Sequence, residues 1–144
     1  MDELEREQRE AVVKEALSWL KTPYHHMGRV KGVGVDCGML IAEVFEGAGL
    51  IPKLDIGYYP LDWHLHRSEE RYMGWVRRYA AEVSRPPLPG DVILYQWGRC
   101  MSHGAIVVEW PLLVHAYIRQ GVVLTSGDKD PLSGRQQAVF SFWR

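Results

Sequence analysis

Apolar residues change their period along this chain, and the change falls near its middle. Over residues 3–20 they recur at helical spacing, with Val12, Val13, Ala16, Leu17 and Leu20 on one stripe, and Pro23 stops the run. The stretch "GVGVDCGMLIAEVFEGAGL" at 32–50 repeats the signal: Cys37, Leu40, Ile41, Val44, Phe45 and Ala48 fall at i, i+3, i+4. Asp36 suits the N-cap of this helix and Gly49 its C-terminal stop. A third helix is predicted over 68–83, capped by Ser68 with Glu69 and Glu70 in its first turn; its buried face would carry Tyr72, Trp75, Val76 and Tyr79. After "SRPPLPG" short β-rich runs alternate with turn residues: DVILYQW, GAIVVE, LLVHAYI, GVVLTS and AVFSFW. Helices first and about five antiparallel strands afterwards predict an α+β domain, not a doubly wound one.

Length and composition narrow this picture. At 144 residues, with 47% hydrophobic residues and no low-complexity stretch, the chain is expected to form one domain spanning 1–144. A net charge of −1 with scattered basic residues argues against nucleic acid as a partner. No apolar run approaches the ~20 residues of a membrane span. The charged start, MDELEREQRE, does not read as a secretory signal, so synthesis in the cytoplasm with reduced thiols is expected.

Only two cysteines are present, Cys37 and Cys100, too few for a disulfide framework and without a CxxC zinc pair. Cys37 falls where a helix begins, beside backbone N–H groups without intrahelical partners and at the positive end of the dipole. Both effects favour thiolate, the attacking form, and the same N–H groups can donate to an oxyanion. Glycines 32, 34 and 38 permit close backbone approach. Cysteine is also a small buried hydrophobe, and Cys37 begins the apolar stripe. The helix alone leaves both readings open.

A thiol nucleophile needs a base, and the base gains from a group that orients it. His103 in "CMSHGAIVVEW" and His115 in "PLLVHAY" lie in neighbouring predicted strands. If Glu109, Trp110 and Pro111 form a three-residue turn, Ala105 faces His115. The two histidines then project from one face as diagonal neighbours, with Cα atoms roughly 7–8 Å apart. A simple two-residue turn would send them to opposite faces.

The segments "TPYHHMG", "VDCGMLIAEVFEGAGL", "LPGDVILY", "SHGAIVV" and "LVHAY" occur in an order that resembles the NlpC/P60 superfamily of papain-like cysteine peptidases, over about residues 22–118. The resemblance implies a papain-like α+β fold, with Cys37 as nucleophile, His103 as general base and acid, and His115 as orienting residue. It implies that Tyr24 and Asp36 line the oxyanion and substrate positions, together with Gly38 and Ser102. Gly38 stands where members usually have serine, and Met39 where they have glycine. After His103 the order is Gly-Ala instead of Val-Gly. The implied substrate is the peptide stem of bacterial peptidoglycan, cleaved without metal or cofactor, His103 taking the thiol proton or already sharing an ion pair with the thiolate. "GYYPLDWHLHRSEERYMGW" is similar to members encoded with phage tail genes, which implies tail proteins as partners and incorporation in a phage tail. An amidase or acyltransferase acting on another substrate, and a non-catalytic tail-assembly component, are the alternatives.

The remaining candidates read more simply. His64 and His66 form an H-x-H without a third ligand, expected to be a surface or loop feature. Cys100 and His103 would face opposite ways on a strand, making Cys100 a free structural thiol. His25 and His26 lie in a loop near the predicted site entrance, and Asp91 reads as a turn residue. Trp63 and Trp97 could line a cleft, although aromatics at such spacing more often pack.

Overall fold

The computed structural model describes residues 1–53, 71–97 and 100–143, with backbone alone at 71–73 and 100–102. Helix α1 spans Glu3–Leu17 and is capped by Asp2, whose carboxylate accepts from the Glu5 N–H. A short hairpin, β1 (Arg29–Val30) and β2 (Gly34–Val35), leads into α2 (Cys37–Gly47). Helix α3 (Arg71–Tyr79) is followed by β3 (Ala81–Val83), β4 (Val92–Trp97), β5 (Cys100–Glu109), β6 (Leu112–Tyr117), β7 (Gly121–Ser126) and β8 (Gln137–Ser141). The last six form one antiparallel sheet in the order β3-β8-β4-β5-β6-β7.

Strand alternation explains the two cores. Val92, Leu94, Ile106, Val114, Ala116 and Phe140 turn toward the helices, where they pack with Val12, Ala16 and the apolar residues of α2. Ile93, Tyr95, Ala105, Val107 and Leu113 turn the other way and pack with Leu132. Strand β4 is thus buried on both faces, which is why "VILY" reads as an unbroken apolar run.

Four sequence expectations change. Helix α1 ends at Leu17, not residue 20, and its buried stripe is Arg9, Val12 and Ala16, while Leu17 is exposed. The stripe is rotated because Arg9 is drawn inward: its guanidinium meets Asp91 at 2.8 Å and donates to Pro89 O at 2.8 Å. Asp91 is therefore more than a turn residue. It is fully buried and also accepts from Arg85 at 2.7 Å and from the Leu88 N–H at 2.8 Å. The third helix stops at Tyr79, and Ala81–Val83 forms a sixth strand against β8. Trp75 and Val76 are buried on α3 as expected, whereas Ser68 to Glu70 lie outside the described residues.

The fourth change concerns the turn that sets the histidine register. Glu109 pairs with Leu112, so the turn holds two residues, Trp110 and Pro111, and not three. The pairs beyond it, Ile106 with Val114 and Val107 with Leu113, nevertheless keep the register that a three-residue turn would produce. A bulge at Val108 absorbs the extra residue. The tight turn and the shared histidine face coexist because the strand, not the loop, carries the offset.

Candidate active site

Two supports carry the candidate residues. Cys37 is the first residue of α2, and α2 packs on β5 and β6, the strands that hold His103 and His115. The helix starts there because Asp36 caps it: Oδ1 accepts from the Met39 N–H at 3.0 Å. The other carboxylate oxygen accepts from the Met27 N–H at 2.7 Å, tying the loop at 24–28 to the helix start. His26 approaches the same oxygen at 3.8 Å. Asp36 is buried, so these bonds form in a medium where they are strong and hold the cysteine backbone in one place.

Two glycines allow that loop to lie so close. A Cβ on Gly28 would fall 2.6 Å from the Gly34 carbonyl oxygen, and one on Gly34 would fall 2.6 Å from the His25 Cβ. Tyr24, bridged in parallel to Val35, is thereby brought beside Cys37 and Asp36. Burial, then the negative charge available at Cys37 and Asp36, pushes the Tyr24 phenol far above its ordinary value. It stays protonated and able to donate. Gly38 is buried in the first turn of α2. Ser102 lies in β5, where only its backbone is described.

His103 and His115 meet directly. Nε2 of His103 lies 2.8 Å from Nδ1 of His115, with ring centroids 5.0 Å apart and the planes nearly perpendicular, at 89°. One nitrogen must donate and the other accept. If His103 donates from Nε2, its Nδ1 carries the lone pair of a base. Both rings are buried. Trp97 lies against His103 at 4.5 Å between centroids, Tyr117 contacts both Trp97 and His115, and Trp97 also packs against the second core.

This environment holds both imidazoles neutral. Burial pushes His115 down to about 4. Burial, then the charges of His115 and Arg135, holds His103 well below the usual histidine range. Both rings therefore bind protons more readily in the unfolded chain, near 6.5, than in the fold. Their contribution to stability is complete above about pH 6.5 and is lost as pH falls, for His115 down to about 4, at up to about 1.4 kcal/mol per pH unit. Urea unfolding should show lower stability at pH 5 than at pH 7, by about 2 kcal/mol from His115 alone, with His103 acting in the same direction. His115→Asn should flatten that slope.

Of the other candidates, His25 is exposed with Nδ1 at 3.0 Å from His26 O, and His26 is half-buried beside Asp36. His64, His66 and Trp63 lie outside the described residues, as does the Cys100 side chain. One residue the sequence reading missed is Arg135, stacked on Trp97 with its Cζ 3.6 Å from the ring centroid. No motif marks it, because it reaches the histidine pair only through the loop between β7 and β8.

Solved structures of NlpC/P60 domains share this arrangement of helices packed on an antiparallel sheet. The chain has the NlpC/P60 fold. It superposes on the NlpC/P60 domain of the peptidoglycan hydrolase SagA with a TM-score of 0.63 at 20% identity, covering 91% of this chain and 97% of that one. The peptidoglycan hydrolase RipB from Mycobacterium tuberculosis gives 0.65 at 20% identity, covering 99% and 68%. RipD from the same organism, described as a non-catalytic NlpC/P60 domain protein adapted to peptidoglycan binding, gives 0.64 at 19% identity, covering 93% and 96%. The chain spans 42% and 39% of two longer NlpC/P60 family chains. No protein-family model and no curated protein matches it.

Proposed function

We propose that the protein is a cysteine peptidase of the NlpC/P60 type that hydrolyses amide bonds in peptidoglycan stem peptides. The observation that carries this reading is the 2.8 Å bond between His103 Nε2 and His115 Nδ1, on strands that α2 packs against with Cys37 at its first residue. A buried imidazole pair joined by a hydrogen bond supplies what a general base needs, a partner that can hold its ring in one orientation. The peptidoglycan substrate is supported by the fold shared with SagA and RipB, both peptidoglycan hydrolases.

The residues then divide the chemistry as follows. Cys37 Sγ attacks the amide carbonyl carbon while His103 Nδ1 accepts the thiol proton. The neutral resting state of His103 favours transfer during attack over a preformed ion pair. The oxyanion is held by N–H groups at the start of α2 and by the protonated Tyr24 hydroxyl. His103 returns its proton to the leaving amine as the C–N bond breaks. Water, deprotonated by His103, opens the thioester and restores the thiol. His115 keeps His103 in the productive tautomer throughout.

Incorporation in a phage tail belongs to the same proposal and rests on the sequence of residues 57–75, most of which lie outside the described residues. A second reading, binding without cleavage, is favoured by one neighbour, the non-catalytic RipD. Digestion of purified peptidoglycan by wild type and Cys37→Ala, with mass analysis of the fragments, separates the two. Peptidase action requires stem-peptide fragments from wild type alone. Co-sedimentation of both proteins with intact peptidoglycan, and no fragments from either, would establish the binding reading instead.

A further inference from the structure

Val13 and Leu17 belong to the apolar stripe of the first helix, yet the fold leaves both outside the core. Val13 is half-buried and Leu17 is 37% exposed. They form one wall of a groove of about 550 Å³, with Pro89 and Val108 on the other wall and Met1 also lining it. Two exposed leucines of the sheet lie on the face that the helices cover: Leu124 pairs with Val114, and Leu112 stands two residues before Val114. The groove thus joins a wider apolar surface of the kind that soluble domains use for contact.

The rim of the groove on α1 is charged. Arg6, Glu10 and Lys14 are exposed at successive turns of the helix. Arg6 meets Glu3 at 3.3 Å, whereas no ion pair among the described residues uses Glu10 or Lys14.

We propose that this groove seats α1 of a second copy of the chain, with the two helices antiparallel about a two-fold axis at the level of Val12. The charge pattern selects this arrangement. An axis at Val12 sets Glu10 of each copy at the level of Lys14 of the other, and the symmetry makes that contact twice. It also sets Leu17 of each copy at the level of Arg6 and Glu7 of the other, where Arg6 lines the groove. A parallel pair would instead set Glu10 on Glu10 and Lys14 on Lys14, with the helix dipoles aligned. At 15 residues α1 is about 22 Å long, so one helix pair makes a small interface and association is expected in the micromolar range. Cys37, His103 and His115 do not line the groove, so the inference stands apart from the peptidase reading.

Sedimentation velocity of the chain over about 10–500 µM tests it. The mass of wild type should rise with concentration from 16.6 kDa toward twice that value, and Leu17→Glu should stay monomeric. Glu10→Lys and Lys14→Glu each create two like-charge contacts and should weaken self-association by about tenfold or more. Mixed in equal amounts, these two variants regain opposite charges at both contacts, so native mass spectrometry should find their heterodimer in excess of either homodimer. Thermal melts establish that each variant is folded. A wild type that stays monomeric up to about 500 µM overturns the inference. So does a dimer that Leu17→Glu leaves intact, or a mixture that associates no better than its components.

Discussion

His103→Ala is expected to lower kcat/KM for stem-peptide hydrolysis by about 10³–10⁴-fold, with little change in KM. In the proposed mechanism the loss combines two effects of one ring, which would accept the thiol proton and return a proton to the leaving amine. His115 acts one bond further out, through Nδ1 at 2.8 Å from His103 Nε2. His115→Asn keeps an acceptor there and should lose about tenfold, whereas His115→Leu should lose on the order of 10²-fold or more. Alkylation of Cys37 by iodoacetamide offers a readout without substrate. Its rate at neutral pH should drop in His103→Ala if the thiol and imidazole act as a unit. An unchanged rate, with unchanged hydrolysis, would remove His103 from the mechanism while leaving the fold intact.

Asp91→Ala is expected to destabilise the protein by about 3–5 kcal/mol, a large share of the total for a domain of this size. Asp91 is buried between Arg9 of α1, Arg85 and the Leu88 N–H, so its removal leaves the Arg9 guanidinium, 3% exposed, in the core with Glu5 as its one charged partner among the described residues. Arg9 also stacks over Trp143 at 4.3 Å, which joins α1 to the end of the chain. A fall in the urea midpoint without change in slope is the expected signature. The double variant Arg9→Met, Asp91→Leu should recover much of the loss, because removing both charges leaves neither one buried alone. If Asp91→Ala melts as wild type does, the pair contributes nothing and α1 is held by apolar packing only.

Much of the fold was legible because local signals agreed with one another. Helix α2 shows this best: its apolar period, its Asp36 cap and its stop at Gly49, which has φ +80°, all survive in the structure. Strands β4 to β8 are found where β-rich runs alternate with turn residues. The strand β3 was not legible. Residues 81–83 continue a helical pattern, and only pairing with β8, more than fifty residues later in the chain, makes them extended. The inward turn of Arg9 was hidden for the same reason, since nothing local announces a partner at Asp91.

The site divides along the same line. Composition and spacing singled out Cys37, His103 and His115, because a thiol at a helix start and histidines within apolar strands are chemically conspicuous wherever they occur. The sequence also required the two histidines to share a face, but it assigned the offset to the turn. Tertiary structure decided that a bulge at Val108 carries it, since a bulge is a property of two paired strands and not of either one. It likewise decided the charge around His103: Arg135 lies 32 residues away in the chain and comes near by stacking on Trp97. Periodicity and capping are encoded residue by residue, whereas register and electrostatic environment exist only once distant segments are in contact.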